Sequence, residues 1–364
     1  MALSLAQRLP RWWYQRQPAP ALLPFLPVTW LFQRLVARRR AQFLAGRRVS
    51  VHLPVPVVVV GNLTVGGSGK TPVTLWLVEQ LRQAGWHPGV VSRGYGGRAA
   101  GVRAASADDA TATGDEPALL VRRSGVPVFV GQDRVAAAQA LLAAHPECDV
   151  LVADDGMQHY RLQRDVEIAV FDSRGAGNGR MLPVGPLREP LSRLNECTAV
   201  VWNGAPEPLA ARAACGLPQF AMTLTGSTFR ALADPARHCA AADLAALCGG
   251  RPLYALAGIG DPQRFFRHLE ALGLVFAPRA FPDHHVYSPA DLAFARDGVL
   301  LMTEKDAVKC AALLPAAAPA VTGHASSALP ESWVLPVDAD ITSAPGAPGL
   351  LDLILEKFNG RPPA

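Results

Sequence analysis

No aspartate or glutamate occurs among the first fifty residues, which hold nine arginines: Arg8, Arg11, Arg16, Arg34, Arg38, Arg39, Arg40, Arg47 and Arg48. The whole chain carries +5, so this segment is strongly basic and the remainder is mildly acidic at −4. That asymmetry points to an anionic surface as a partner. No CxxC pair is found among the six cysteines (Cys148, Cys197, Cys215, Cys239, Cys248 and Cys310). This argues against a zinc ribbon or a disulfide framework and reads as free thiols in a reducing compartment. No HExxH or Cys/His spacing implies zinc either, and His284-His285 is the only adjacent histidine pair. Long apolar runs are missing too. The stretch from Ala19 to Phe32 is shorter than the ~20 residues that a spanning helix needs, and Pro20, Pro24 and Pro27 interrupt it.

What surrounds that stretch separates membrane from nucleic acid. Trp12, Trp13, Tyr14 and Trp30 stand beside Leu, Phe and Val, with arginines at the margins. Aromatic rings and snorkelling arginines around an apolar stretch favour a lipid interface, so no nucleic-acid partner is expected. The apolar part ends in "RLVARRR" rather than in a small-residue cleavage site, which argues against a secretory signal. The plain alternative is an N-terminal helix packed on the domain.

Half of the 364 residues are hydrophobic, enough for a sizeable core, and the length suits two domains. The run "VPVVVV" leads into "GNLTVGGSGKTP" and then "VTLWLVEQL". This is the order strand, glycine-rich turn, Lys-Thr, helix. Gly66, Gly67 and Gly69 can take the positive φ angles that let backbone amides converge on a phosphate. Lys70 reaches β/γ-phosphates in such a turn, and the Thr71 hydroxyl holds Mg²⁺. Thr64, Val65 and Ser68 complete the candidate cradle. Thr64 stands where the usual P-loop pattern has glycine. Further apolar runs at 89, 127, 149, 167 and 199 alternate with helical stretches, which predicts a parallel sheet covered on both faces. The rhythm changes near 220, giving three expected parts: a basic amphipathic membrane-interface segment at 1–50, a P-loop α/β domain at 51–222, and a smaller α/β domain at 223–364. "SWVLPVDADIT" is a candidate return strand and "GLLDLILEKF" a terminal helix.

Other segments bear chemistry less specifically. "DVLVADDGMQHYRL" ends a buried strand in Asp154-Asp155-Gly156, where an acid usually holds Mg²⁺, although Asp-Asp-Gly alone more often marks a turn. Asp115 and Glu116 precede an apolar helical stretch. Asp115 is either a helix cap or a general base near the γ-phosphate. "GNGRMLPVGPLREPLSRL" fixes Arg180 and Arg188 on a confined backbone that suits phosphate contacts, or it is a plain ordered connection. His284 in "FPDHHVYS" fills a loop or pairs with a carboxylate, and "VSRGYGG" is a candidate substrate loop.

Taken together, "GNLTVGGSGKTP", "VSRGYGG", "GDEP", "DDGMQH", "GNGRMLPVGPLREP", "FPDHH" and "TEKDAVK" resemble, in order and spacing, the tetraacyldisaccharide 4′-kinases, the lipid A 4′-kinases of Gram-negative bacteria. The resemblance runs from the N-terminus to Lys309. That family's loop is similarly GGxGKT without the first glycine, which accommodates Thr64. The resemblance implies ATP and Mg²⁺ as cofactors; by the reading of the residues above, Thr71 with Asp154 or Asp155 is expected to hold the metal. It implies phosphoryl transfer to the 4′-hydroxyl of an acylated glucosamine disaccharide 1-phosphate, and a peripheral position on the cytoplasmic face of the inner membrane. It also implies a catalytic pair, Asp115 with His284; the residues themselves add Lys70 and Arg188 as expected contacts to the phosphates. Two rivals fit less well. A GTPase needs Asn-Lys-x-Asp, for which "WNGA" and "TEKD" lack the spacing. A membrane-associated ATPase switch of the partitioning type needs a signature lysine where Val65 stands. Residues 310–335 match no motif.

Overall fold

In a computed structural model, residues 5–15, 17–98, 101–311, 313 and 330–358 are described, with side chains from Arg8 onward. Most of the unmatched stretch 310–335 therefore lies outside the described residues, as does Arg16.

Two sheets organise the chain. The larger has nine strands in the order Asp338–Thr342, Gln219–Thr225, Ala199–Asn203, Val166–Asp172, Val57–Gly61, Val150–Asp154, Pro88–Ser92, Val128–Val130 and Arg103–Ala104. All its interior pairings are parallel, and the two edge strands are antiparallel. The central "VVVVG" explains the arrangement. β-Branched residues suit an extended backbone, and successive side chains point to opposite faces. Val57 and Val59 therefore join Leu141, Leu151 and Ala153 in one core, while Val58 and Val60 join Val73, Leu77, Val78 and Leu81 in the other. Helix Lys70–Gln83 covers the second face with that spaced set of four, and helix Arg134–Ala144 covers the first. Because every crossover is parallel, the P-loop, Asp154-Asp155 and the residues after Asp172 all emerge at one edge, the carboxyl ends of the strands, where α/β sheets bind ligands.

The smaller sheet has the order His238–Ala240, Thr228–Ala231, Glu331–Leu335, Val299–Thr303, Leu253–Ala257 and Ala277–Ala280. Its core is built on Phe229, Phe266, Leu301 and Trp333. The chain passes from the first sheet to the second at Gly226 and returns at Pro336-Val337. Gly226 is required there, because a Cβ would collide with the Pro336 carbonyl. The return strand and helix Leu350–Lys357 belong to the larger unit: Leu350, Ile354 and Phe358 pack in the core beneath helix Lys70–Gln83. Residues 338–358 thus depart from the expected 223–364 division. The physical reason is that Asp338–Thr342 supplies an antiparallel partner for the otherwise open edge of Gln219–Thr225.

Two features join the units. Helix Glu304–Ala311 of the second packs on helix Asp115–Ser124 of the first, and Arg123 forms ion pairs with both Glu304 and Asp338. At the other end, helix Leu5–Trp13, a 3-10 turn Pro20–Phe25 and helix Leu26–Leu44 lie against the larger unit. The run Pro20–Leu44 is longer than the sequence suggests and is, by length and composition alone, able to cross a bilayer.

Candidate active site

The P-loop starts where strand Val57–Gly61 ends. Gly66 and Gly69 take φ of 95° and 99°, and Gly69 caps helix Lys70–Gln83 in the left-handed region. No other residue fits at 69, since a Cβ would strike the Asn203 side chain. Thr64 needs no glycine: it forms an antiparallel bridge with Leu187, and its hydroxyl accepts a bond from Asn62 Nδ2 at 3.2 Å. Val65 N–H donates to the Pro186 carbonyl (2.9 Å), so the "GPLRE" loop braces the entry to the turn. Lys70 Nζ lies 3.4 Å from Asn62 Oδ1 and 3.7 Å from Asp155 Oδ1.

Asp154 and Asp155 end their strand on opposite terms. Asp155, at φ 50°, receives Arg188 through two bonds of 2.9 and 3.2 Å. Burial pushes its carboxyl upward, but Lys70 and Arg188 outweigh this and hold it well below the usual range. Asp154 is fully buried, accepts a bond from Thr74 Oγ1 at 3.4 Å, and is pushed up to about 7 by burial and by the charge of Glu116. The threonine contacting Asp154 is thus Thr74, one turn beyond Thr71.

Asp115 is the first residue of its helix, whose cap is Gly114, with φ 97°. Its Oδ1 accepts the Glu116 amide at 3.1 Å. Its buried Oδ2 has no hydrogen-bond partner, although His284 Nδ1 lies 3.4 Å away and Lys305 and Lys309 each 3.9 Å away. Burial raises this carboxyl, and the His284 contact and the two lysines reverse the effect, leaving it lowered and ionised near neutral pH. His284 has φ 58°, and its ring lies 4.9 Å from that of Tyr95 in the "VSRGYGG" loop. That loop is placed by Gly114, where a Cβ would strike the Tyr95 carbonyl. Glu116 and Asp283 both hold Lys305, at 2.9 and 3.3 Å.

The structure thus gathers Lys70, Asp155 and Arg188, with Asp154 beside them in sequence, in one cluster and Asp115 and His284 in another, and helix Asp115–Ser124 packs on helix Lys70–Gln83. Arg180 does not join either cluster: its recorded contacts are made by its backbone, within its own loop. Asn62, Glu116, Lys305 and Lys309 are members that the motifs did not reveal as such. Lys305 and Lys309 carried a legible signal, because residues four apart on a helix share a face.

The cleft suits a nucleotide and its cation. Ser68 Oγ is buried and unpartnered, the glycines leave room for oxygens against backbone, and hard carboxylate oxygens stand beside the turn. Among the described residues no group of three or more His, Cys, Asp or Glu could by itself cage a metal. Mg²⁺ commonly uses one or two carboxylates plus substrate phosphates, and Asp154 and Asp155 stand at the end of the strand beside the turn.

A parallel sheet with a phosphate-binding turn at its carboxyl edge, opposite a buried carboxylate and histidine, defines a P-loop enzyme of the kinase class. Residues 21–358 match the family model of tetraacyldisaccharide-1-P 4′-kinase. The tetraacyldisaccharide 4′-kinase of Dechloromonas aromatica is 54% identical over 359 residues, covering 98% of this chain and 99% of the relative. That of an Azoarcus species is 52% identical, covering 98% and 97%. A crystal structure of LpxK from Aquifex aeolicus in complex with ATP is similar at TM-score 0.70 and 27% identity, covering 92% of this chain and 98% of that one. The chain belongs to the tetraacyldisaccharide-1-P 4′-kinase family.

Proposed function

We propose that the chain transfers the γ-phosphoryl group of ATP to the 4′-hydroxyl of an acylated glucosamine disaccharide 1-phosphate, forming lipid IVA in lipid A biosynthesis. The observation that supports this reading is a pair of carboxylate sites on packed elements: Asp155 with Lys70 and Arg188 at the glycine-rich turn, and Asp115 with His284 at the start of helix Asp115–Ser124, which packs on helix Lys70–Gln83. In this reading the acceptor hydroxyl meets Asp115 Oδ2, the buried carboxylate oxygen without a hydrogen-bond partner.

In this mechanism Lys70 and the amides of Gly67, Ser68 and Gly69 take up charge developing on the transferred group, and Arg188 adds a second cation. Thr71 with Asp154 or Asp155 would hold Mg²⁺, which would supply positive charge against the phosphates. Asp115 Oδ2 accepts the proton of the 4′-hydroxyl while the new O–P bond forms and the bond to the β-phosphate oxygen breaks, releasing ADP. His284 orients Asp115 and stabilises its charge. Because His284 comes from the second sheet and Asp115 from the first, the pair is complete only when the two units meet. Such assembly limits ATP hydrolysis without acceptor.

The acceptor's acyl chains call for a lipid surface, and the N-terminal helices offer one. Thr29 and Leu22 seat the helix against Met181 and Val184, whereas Leu23, Phe25, Val28, Trp30, Leu31 and Leu35 face outward. With one side seated on protein, the helix lies in the plane of the cytoplasmic face of the inner membrane rather than across it. The reading is tested by incubating the protein with γ-labelled ATP and the disaccharide lipid. Label on the 4′-oxygen supports it; nucleotide binding without any labelled lipid overturns it in favour of an ATPase switch.

A further inference from the structure

Three consecutive carbonyls of the P-loop are held from outside by side chains. The Gly66 carbonyl accepts from Asn62 Nδ2 at 3.3 Å, the Gly67 carbonyl from Arg174 Nη2 at 2.8 Å, and the Ser68 carbonyl from Asn203 Nδ2 at 3.1 Å. A trans peptide is planar, so its C=O and the following N–H point in opposite directions. Each bond therefore turns one amide, those of Gly67, Ser68 and Gly69, away from its anchor. Among the described residues none of these three amides donates to a protein acceptor.

The anchors come from three places at the carboxyl edge of the sheet: Asn62 follows the central strand, Arg174 follows Val166–Asp172, and Asn203 ends Ala199–Asn203. Arg174 differs from the two amides. It is fixed by Asp172 (2.6 and 2.9 Å), and its Nη1 donates to the carbonyl of Gly260 in the second unit at 3.0 Å. Gly260 packs so tightly on Gly67 that a Cβ would lie 2.8 Å from the Gly67 nitrogen. The guanidinium also lies 4.8 Å from the ring of Tyr14, in the N-terminal segment. One side chain thus touches the phosphate turn, the second unit and the N-terminal segment.

We propose that Asn62, Arg174 and Asn203 are positioning residues that hold three P-loop carbonyls outward so that the following amides face the phosphates, and that Arg174 ties this arrangement to contact between the two units through Gly260. A cationic donor also polarises the peptide it binds, strengthening the Ser68 N–H as a donor. A lysine cannot replace this group, because one ammonium lacks the planar fork that reaches Gly67, Gly260 and Asp172 together. The proposal rests on the phosphate-binding reading of the turn, but not on the identity of the acceptor.

The experiment uses the full chain in detergent and measures three things. Calorimetric titration with Mg²⁺ and the non-hydrolysable analogue AMP-PNP gives the nucleotide Kd. Hydrogen exchange with and without Mg²⁺ and AMP-PNP reports the protection that nucleotide gives residues 67–69, with 57–61 as an internal standard. Steady-state kinetics separates KM for ATP from KM for the lipid. Arg174→Ala and Arg174→Lys are expected to weaken AMP-PNP binding about ten- to a hundredfold, as for loss of a charged hydrogen bond. They should reduce the nucleotide-dependent protection at 67–69 but leave exchange at 57–61 unchanged, and raise KM for ATP while KM for the lipid stays the same. Added methylguanidinium should restore part of the binding to Arg174→Ala but not to Asn203→Ala. Unchanged Kd and exchange in both Arg174 variants would overturn the proposal. If neither Arg174 variant folds, Asn203→Ala carries the test with the same binding and exchange readouts. Should wild-type protein bind AMP-PNP yet phosphorylate no lipid, the proposed function fails while the Arg174 result still decides this inference.

Discussion

Two carboxylates of the cleft, Asp155 and Asp115, are both held ionised by cations, and the cations come from different places. Asp155 is paired with Lys70 and Arg188, which all belong to the larger unit. Asp115 also sits on the larger unit, but His284, Lys305 and Lys309 reach it from the smaller one. The first charge is set within a single fold. The second depends on two folds meeting, so its state reports on closure of the cleft. Asp154 adds a third case: adjacent to Asp155 in sequence, it faces inward and is raised rather than lowered. Neighbouring elements, rather than neighbouring residues, decide the ionisation of each.

The comparison breaks most severely at Lys70. Lys70→Ala is expected to lower turnover ~10³-fold or more by removing a charge partner of the transition state, with Tm little changed. Assay with γ-labelled ATP and a melting curve checks both parts. Next comes Asp115→Asn, expected to lower kcat ~10²–10⁴-fold while AMP-PNP binding and Tm hold. Combined with His284→Ala, the loss should be little greater than that of the worse single variant, since residues acting as a unit are non-additive. Multiplicative losses in that cycle would separate the two residues.

The dependence of Asp115 on the second unit is sharpened by Lys309→Met, expected to slow kcat/KM by up to about tenfold on the acid limb of the pH–rate profile, a loss of the size of one pKa unit, and little at neutral pH, where Asp115 stays ionised. Removing a cation raises the Asp115 pKa, so the acid limb of the pH–rate profile should move to higher pH and the deficit should shrink above it. A parallel loss at every pH would assign Lys309 to substrate binding instead. The smallest effect belongs to Asp154. Its folded pKa, near 7, lies above the ordinary carboxylate value, so the stability it contributes is full below about pH 4 and is lost as pH rises through 7. Asp154→Asn avoids burying that charge. It should raise the Tm of nucleotide-free protein at pH 8 by about 2–4 °C, with little difference at pH 5, as calorimetry would record.

What could be read in the sequence was local. The P-loop, its strand and its helix lie within 27 residues, Val57 to Gln83, and Val73, Leu77, Val78 and Leu81 face the core as their spacing predicts. Thr64 looked anomalous only because glycine was expected; its bridge to Leu187 joins segments more than a hundred residues apart. The same distance hid Asn62, whose value lies in meeting Arg188, and Lys305, whose partner Glu116 is 189 positions away. The return of residues 338–358 to the first sheet was hidden for a related reason: an edge strand reveals its partner only once the sheet is built.

That return has a consequence for biosynthesis. Strand Asp338–Thr342 and helix Leu350–Lys357, with Phe358 edge-on to Trp86 at 5.1 Å, are translated after the whole second sheet. While the ribosome is still adding them, the nucleotide unit has its P-loop but an unpaired edge at Gln219–Thr225 and an uncovered patch below helix Lys70–Gln83. The second sheet, whose strands all precede residue 336, can close first. The growing chain therefore has an unpaired strand edge until residues 338–358 dock, an edge of the kind that invites pairing with other chains.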